Sequence, residues 1–358
     1  MKVDIEKLLK ENASIIDRVI EKYIPRTYDK ESLLLTLGPP EYEYSSEAIN
    51  KALAEPIWEF LDRGGKRWRP TLFLLICEAL GKNPDEFVDF AIIPEVIHNG
   101  TIMIDDIEDA SECRRGKQCA HRLFGLDIAI NAGNTMYYLP LLTLTRNKDK
   151  LSKEKLTRLY EIYIQEMVNI SFGQATDIAW HRGLADADEI TEKQYLQMCT
   201  YKTGTLARMS AKLASVLAGA DDDLTEKMGK FAEMIAVAFQ IQDDILDLVS
   251  ERFAEGKGGF GRDITEGKRT LLVIHTLEKA ETMDKRRLIE ILNMHTTDQK
   301  IRGEAIDIIR KCGSINYARK YARNMMKRSW KEIDNILPQS YAKEKLESFT
   351  SYLVERKI

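Results

Sequence analysis

Proline is missing from the whole stretch between Pro140 and Pro338, so nothing in those residues obliges a helix to end. Long apolar runs are missing too. No segment reaches the roughly 18 unbroken apolar residues that a membrane span needs, which excludes stable membrane insertion, and the N-terminus has no signal-peptide core. Runs of alternating β-branched residues bounded by tight turns are also absent, which argues against sheet. The five cysteines (Cys77, Cys113, Cys119, Cys199, Cys312) are odd in number and have no Cys-x-x-Cys spacing. Neither a disulfide framework nor a zinc site is indicated, and a reducing, cytoplasmic setting is the simplest. A strong charge of one sign is lacking as well. Fifty-three basic against 57 acidic residues leave a net charge of −4, which excludes a general affinity for nucleic acid. A phosphate ligand must then be held by local cations and metals.

What is present is helical. The proline-free stretch is filled with Leu, Ala, Met, Glu, Lys and Arg, all good helix formers. With 358 residues, the length prior is about two domains, but a single large helical one is also allowed. Hydrophobic residues make up 44% of the chain, enough for a sizeable core. Residues 1–44 read as an amphipathic helix (Ile5, Leu8, Leu9, Ile15, Ile16, Val19, Ile20) followed by a looser link, and residues 45–358 as the main domain. A helix is expected to open at Ser45-Ser46-Glu47 and run toward Leu61, where Gly64-Gly65 breaks it. Thr191 with Gln194 fits a capping box, and that start sends a helix through Tyr201-Lys202-Thr203-Gly204.

The chemistry concentrates in two places. An apolar approach with helical spacing (Val96, Ile97, Gly100, Ile104) delivers Asp105, Asp106, Glu108 and Asp109 within five positions, followed by Arg114-Arg115-Gly116. On a helix, Asp105 and Asp109 share one face about 5–6 Å apart at Cβ and repel each other unless a cation lies between them. Hard oxygen ligands so arranged suit Mg²⁺, which keeps several waters and is completed by substrate phosphates. Alone, such a cluster is more often a solvated face. A second copy changes that: Asp243-Asp244-x-x-Asp247 recurs inside the apolar run Ala236-Val-Ala-Phe-Gln-Ile, where uncompensated carboxylates are costly to bury. No other internal repeat and no low-complexity segment is found.

The two Asp-Asp-x-x-Asp motifs occur with four companions. Gly64-Gly65-Lys66-Arg67-Trp68-Arg69-Pro70 stands upstream and Arg114-Arg115-Gly116 just after the first motif. Lys202-Thr203-Gly204 lies between the motifs, and Gly261-Arg-Asp263-Ile-Thr-Glu-Gly267-Lys268 after the second. In order and spacing the six elements resemble the trans-isoprenyl diphosphate synthases over roughly residues 45–358, and the stretch around His98-Asn99 is most similar to geranylgeranyl diphosphate synthases. The resemblance implies an all-α fold, a single large antiparallel helical bundle of the isoprenoid synthase type with a central active-site cavity. It implies two or three Mg²⁺ ions held by Asp105, Asp106, Asp109, Asp243, Asp244 and Asp247. Isopentenyl diphosphate would be bound by Lys66, Arg69, His98 and Arg115. Arg114, Lys202 and Lys268, with Lys257 on a glycine-rich basic segment, would face the allylic diphosphate. Thr203 and Gln240 would present dipoles to the allylic cation, with Gln174 and Asp177 supporting the site. A homodimer is implied as well.

The reaction so implied is a head-to-tail (1′-4) condensation. The allylic diphosphate ionises, the alkene of isopentenyl diphosphate attacks the cation, and the released pyrophosphate takes the proton. Product length should be set beneath the allylic site, one turn back from Asp105 at Gly100 and Thr101 and a further turn back at Ile97. The small pair disfavours a farnesyl product and points to geranylgeranyl diphosphate, with longer polyprenyl products as the alternative. A terpene cyclase needs no second cationic diphosphate site, which Gly64-Gly-Lys66-x-x-Arg69 and Arg115 provide. A non-catalytic subunit of a heteromeric synthase would be expected to have lost aspartates from one motif, and both are intact.

Overall fold

The computed structural model describes residues 3–186, 188–249 and 261–355. It is 78% helical, and among the described residues the strands are limited to one two-stranded hairpin. The longer helices are α1 (Ile5–Tyr23), α2 (Lys30–Leu37), α3 (Trp68–Ala79), α4 (Ile92–Glu108), α5 (Leu126–Tyr138), α6 (Lys153–His181), α7 (Glu192–Cys199), α8 (Thr205–Ala218) and α9 (Asp222–Val249). Then follow α10 (Leu271–Lys279), α11 (Thr282–Asn293), α12 (Gln299–Lys311), α13 (Ser314–Asp334) and α14 (Tyr341–Glu355). None of the described helices is long and apolar enough to cross a membrane.

The chain forms two compact units. The first takes the described residues of 1–162, 209–225 and 340–346, and the second those of 163–208, 226–339 and 347–358. The described residues of 3–44 are part of the first unit. There α1 buries Ile5, Leu9, Ile16, Ile20 and Tyr23. The Tyr23 hydroxyl donates to Asp89 and accepts from the Asn147 side-chain amide, tying the end of the helix down.

The expected Ser45-to-Leu61 helix forms, but not as one α-helix. Ser46–Ile49 is α, Asn50–Ala54 widens to π spacing, and Glu55–Leu61 resumes the α-helix. Pro56 has no N–H to give, and the π turn just before it absorbs the mismatch. In the first unit α4 crosses α5 glycine against glycine. A Cβ on Gly100 would stand 2.7 Å from the Gly133 carbonyl oxygen, and one on Gly133 would stand 2.9 Å from Ile104 Cδ1. The small residues of this region therefore let the two helices meet at backbone distance.

In the second unit, Thr191 and Gln194 form the capping box that starts α7. The helix then widens to π spacing over Thr200–Gly204 before α8 begins. Bulges of this kind are rare and frequently occupy functional sites. Here α6 crosses the bulge at Gly173, where a Cβ would stand 2.6 Å from the Tyr201 carbonyl carbon.

Candidate active site

In the first unit a set of arginines converges around the Gly64-Gly65 loop. Cys113–Arg114 (β1) and Lys117–Gln118 (β2) pair as an antiparallel hairpin whose two turn residues, Arg115 and Gly116, both have positive φ (54° and 76°). A two-residue hairpin of type I′ requires that backbone. It places the Arg115 side chain back toward the loop, where Nη1 donates to the Gly64 carbonyl and Nη2 to Asn99 Oδ1 at 3.2 Å. Arg63 secures the hairpin by donating to the carbonyls of Arg114 (3.2 Å) and Gln118 (2.7 Å). Arg69 is buried, its guanidinium lies 4.5 Å from the Trp68 ring centroid, and its Nε has no hydrogen-bond partner among the described residues.

Burial pushes Arg69 down to about 10, with Arg115 pushing the same way and Glu95 opposing both. Arg115 is likewise pushed down to about 10, by burial first, while Glu95 opposes and Arg67, Arg114 and Arg63 add to the fall. His98, half-buried beside them, is held well below its ordinary value by burial and then by the charges of Arg69, Arg115, Arg67 and Arg114. It is therefore neutral at physiological pH. The nest is under-compensated in negative charge, which is what a polyanion would relieve.

Asp105 lies in the last turn of α4 and Asp109 is its C-cap, with the Asp109 amide donating to the Asp105 carbonyl at 2.9 Å. Both are half-buried. Asp106 between them is buried and accepts from Arg114 Nε (2.8 Å) and Nη2 (2.5 Å), and its Oδ2 has no hydrogen-bond partner among the described residues. Burial works against the charge on Arg114, but Asp106 outweighs it and holds the guanidinium above its ordinary value. A helix C-terminus with two accessible carboxylates attracts a cation. Among the described residues no three His, Cys, Asp or Glu side chains converge as a ready-made metal cage. An Asp pair completed by water and phosphate is the donor set Mg²⁺ prefers, so these residues fit the ion.

The second unit holds the other acidic motif. On α9, Asp243 is half-buried, while Asp244 and Asp247 are buried. Asp244 Oδ1 accepts from Gln240 Nε2 (2.7 Å) and Oδ2 from the Tyr195 hydroxyl (2.7 Å). Gln240 Oε1 in turn accepts from Thr203 Oγ1 at 3.2 Å. The order Tyr195, Asp244, Gln240, Thr203 fixes the orientation of both dipoles. Asp247 Oδ2 accepts from the Asp263 amide at 3.1 Å and so anchors the Gly261–Lys268 segment. There Lys268 pairs with Glu266. Lys202, on the π turn, pairs with Asp177 at 2.5 Å. Cys199 is no nucleophile, since burial and then the Asp244 charge push its thiol upward. Lys257 lies outside the described residues.

Some members of the site carry no motif signal. Arg208 is buried and makes two bonds to Glu166 (Nε to Oε1 2.7 Å, Nη2 to Oε2 2.5 Å) and one to Glu233 at 2.5 Å. A Cβ on Gly204 would meet Glu233 Cγ at 3.0 Å, so this triad abuts the π turn. The only sequence hint was charge inside apolar runs, as in Leu206-Ala-Arg208-Met and Phe231-Ala-Glu233-Met. Tyr195 was equally silent, while Glu95 and Asn99 lie in the stretch that carries the resemblance but had no role of their own there.

Comparison with known proteins decides what this architecture belongs to. The polyprenyl synthetase family model matches residues 50–309. The chain belongs to that family. It is 34% identical over 323 residues to the short chain isoprenyl diphosphate synthase of Methanothermobacter thermautotrophicus, covering 88% of this chain and 96% of that one. It is 30% identical to the geranylfarnesyl diphosphate synthase of Natronomonas pharaonis, covering 98% of each chain. The crystal structure of the geranylgeranyl pyrophosphate synthetase of Pyrococcus horikoshii Ot3 matches with a TM-score of 0.83 and 31% identity, over 99% of this chain and 100% of that one. The fold is the all-helical isoprenoid synthase fold, and the protein is a trans-prenyltransferase. As a polyprenyl synthetase it uses isopentenyl and allylic diphosphates, in a family that is generally Mg²⁺-dependent.

Proposed function

We propose that this prenyltransferase elongates allylic diphosphates with isopentenyl diphosphate and stops at geranylgeranyl diphosphate. The observation that carries the reading is the under-compensated arginine nest beside two accessible carboxylates at the end of α4. One gives a fixed anion site and the other a site for metal with its anion. Lys66, Arg69, His98 and Arg115 hold isopentenyl diphosphate, with neutral His98 adding a hydrogen bond without adding repulsion. Asp105 and Asp109 in the first unit, and Asp243 in the second, would each hold Mg²⁺, two or three ions in all, supplying the Lewis acidity that a departing pyrophosphate needs. Asp106, Asp244 and Asp247, already bonded to Arg114, to Gln240 and Tyr195, and to the Asp263 amide, orient their neighbours. Arg114, Lys202 and Lys268 add fixed positive charge at the allylic diphosphate. Thr203 and Gln240 present oxygens to the allylic cation without a nucleophile, and no better base than the released pyrophosphate is at hand.

The product length rests on α4, where Thr101 is half-buried and Ile97 fully buried one and two turns behind Asp105. Gly100 is occupied by the contact with Gly133, so the length test belongs at Thr101. Purified protein with Mg²⁺, isopentenyl diphosphate and, separately, dimethylallyl, geranyl or farnesyl diphosphate is expected to give a ladder ending at the twenty-carbon alcohol after dephosphorylation. Thr101→Phe should shorten it. A longer end-point would overturn the geranylgeranyl reading, and no elongation from any primer would overturn the catalytic one.

A homodimer is part of this proposal. On α6, Ile164, Val168 and Phe172 (59%, 46% and 67% exposed) repeat every four residues, an apolar stripe of the kind that marks an interaction surface. Light scattering should give twice the 41.1 kDa chain mass, and Phe172→Glu should shift the equilibrium toward monomer. A monomeric wild type at micromolar concentration would refute it.

A further inference from the structure

Arg67 stands in the middle of the basic loop, yet its bonds all lead into the protein. It is only 3% exposed. Its Nε donates to Asp17 Oδ1 on α1 (2.9 Å), Nη1 to Glu95 Oε1 on α4 (3.1 Å) and Nη2 to the Leu61 carbonyl (3.1 Å). The backbone is also committed, for Arg67 has φ +46° and is the N-cap of α3. A non-glycine residue in that conformation is strained and persists only where its surroundings over-determine it. Those surroundings include α1 a second time, since the Arg67 carbonyl accepts from Thr71 Oγ1 (3.0 Å), which itself accepts from Asn12 Nδ2 (3.4 Å).

From Arg67 the bonding continues to the cations of the nest. The Glu95 Oε1 that accepts from Arg67 also accepts from Asn99 Nδ2 at 3.2 Å, and Asn99 Oδ1 accepts from Arg115. The two guanidiniums meet over Gly65, where a Cβ would stand 3.4 Å from both Arg67 Nη1 and Arg115 Nη2, at van der Waals contact. We propose that Arg67 is a positioning residue, not a diphosphate ligand. Through it Asp17 on the N-terminal helix, together with Glu95 and Asn99, sets the geometry of Lys66, Arg69 and Arg115 toward isopentenyl diphosphate. This inference rests on the prenyltransferase reading of the arginine nest, and it gives α1 a part in substrate binding.

The test uses Asp17, half-exposed and far in sequence from every motif. Asp17→Ala is expected to raise KM for isopentenyl diphosphate about tenfold, the scale of one charge-assisted hydrogen bond. KM for the allylic substrate and kcat should stay within about twofold, and Asp17→Asn, which keeps an acceptor oxygen, should recover most of the loss. An unchanged KM for isopentenyl diphosphate, or an equal rise in both KM values together with a lower Tm, would overturn the proposal. Calorimetric titration of isopentenyl diphosphate into wild type and Asp17→Ala without allylic substrate separates this inference from the functional reading. If neither protein elongates any primer, the functional reading fails, while a weaker Kd in Asp17→Ala still supports the positioning link and an equal Kd refutes it.

Discussion

Asp105→Ala and Asp243→Ala, made singly, are each expected to lower kcat about 10³-fold while leaving Tm within a few degrees of wild type. The magnitude corresponds to roughly 4 kcal/mol of charge stabilisation, the scale of a metal's contribution at a departing anion. The small effect on Tm follows from position, because both side chains are half-buried. Asp106→Ala should behave differently. It strands the half-buried Arg114 guanidinium, which donates through both Nε and Nη2 to the buried Asp106, and so it should lose stability together with activity. Steady-state kinetics across a Mg²⁺ titration, beside thermal melts, separates the classes. A loss of less than tenfold in well-folded Asp243→Ala would end the idea that the second aspartate motif takes part in the reaction.

Arg208→Leu is expected to destabilise the protein by about 3–5 kcal/mol, because it leaves buried carboxylates without their cation. The two glutamates should not suffer equally. Glu233 keeps Lys230 at 2.5 Å, whereas Glu166 is left with the Asn169 amide at 3.3 Å. Adding Glu166→Gln to Arg208→Leu should therefore recover more stability than adding Glu233→Gln. Chemical denaturation of the single and double variants measures both quantities. A cost below about 1 kcal/mol for Arg208→Leu, or equal recovery from the two glutamines, would mean the triad does not hold the second unit together.

Local spacing made the helical class, the Thr191–Gln194 cap and the two aspartate motifs readable, because each is set by residues within a turn or two of one another. Gly100 was expected to leave room for a growing tail, but in the fold the space beside it is taken by α5. The π spacing at Thr200–Gly204 was not readable. It depends on α6 crossing at Gly173, a contact between segments far apart in the chain. The same holds for Arg67, to which the motif assigns no role and whose donors are claimed by Asp17, Glu95 and the Leu61 carbonyl.

The sequence by itself determined which chemistry is possible, since hard oxygen ligands, fixed cations and the family motifs are properties of residue type and short spacing. Only the tertiary structure decided how deeply each of those residues is buried. Asp105 and Asp243 remain accessible, while Asp106, Asp244 and Asp247, identical in type and adjacent in motif, are buried. That division follows from which side of the helix packs against neighbouring elements, and it requires long-range contacts that no local pattern encodes.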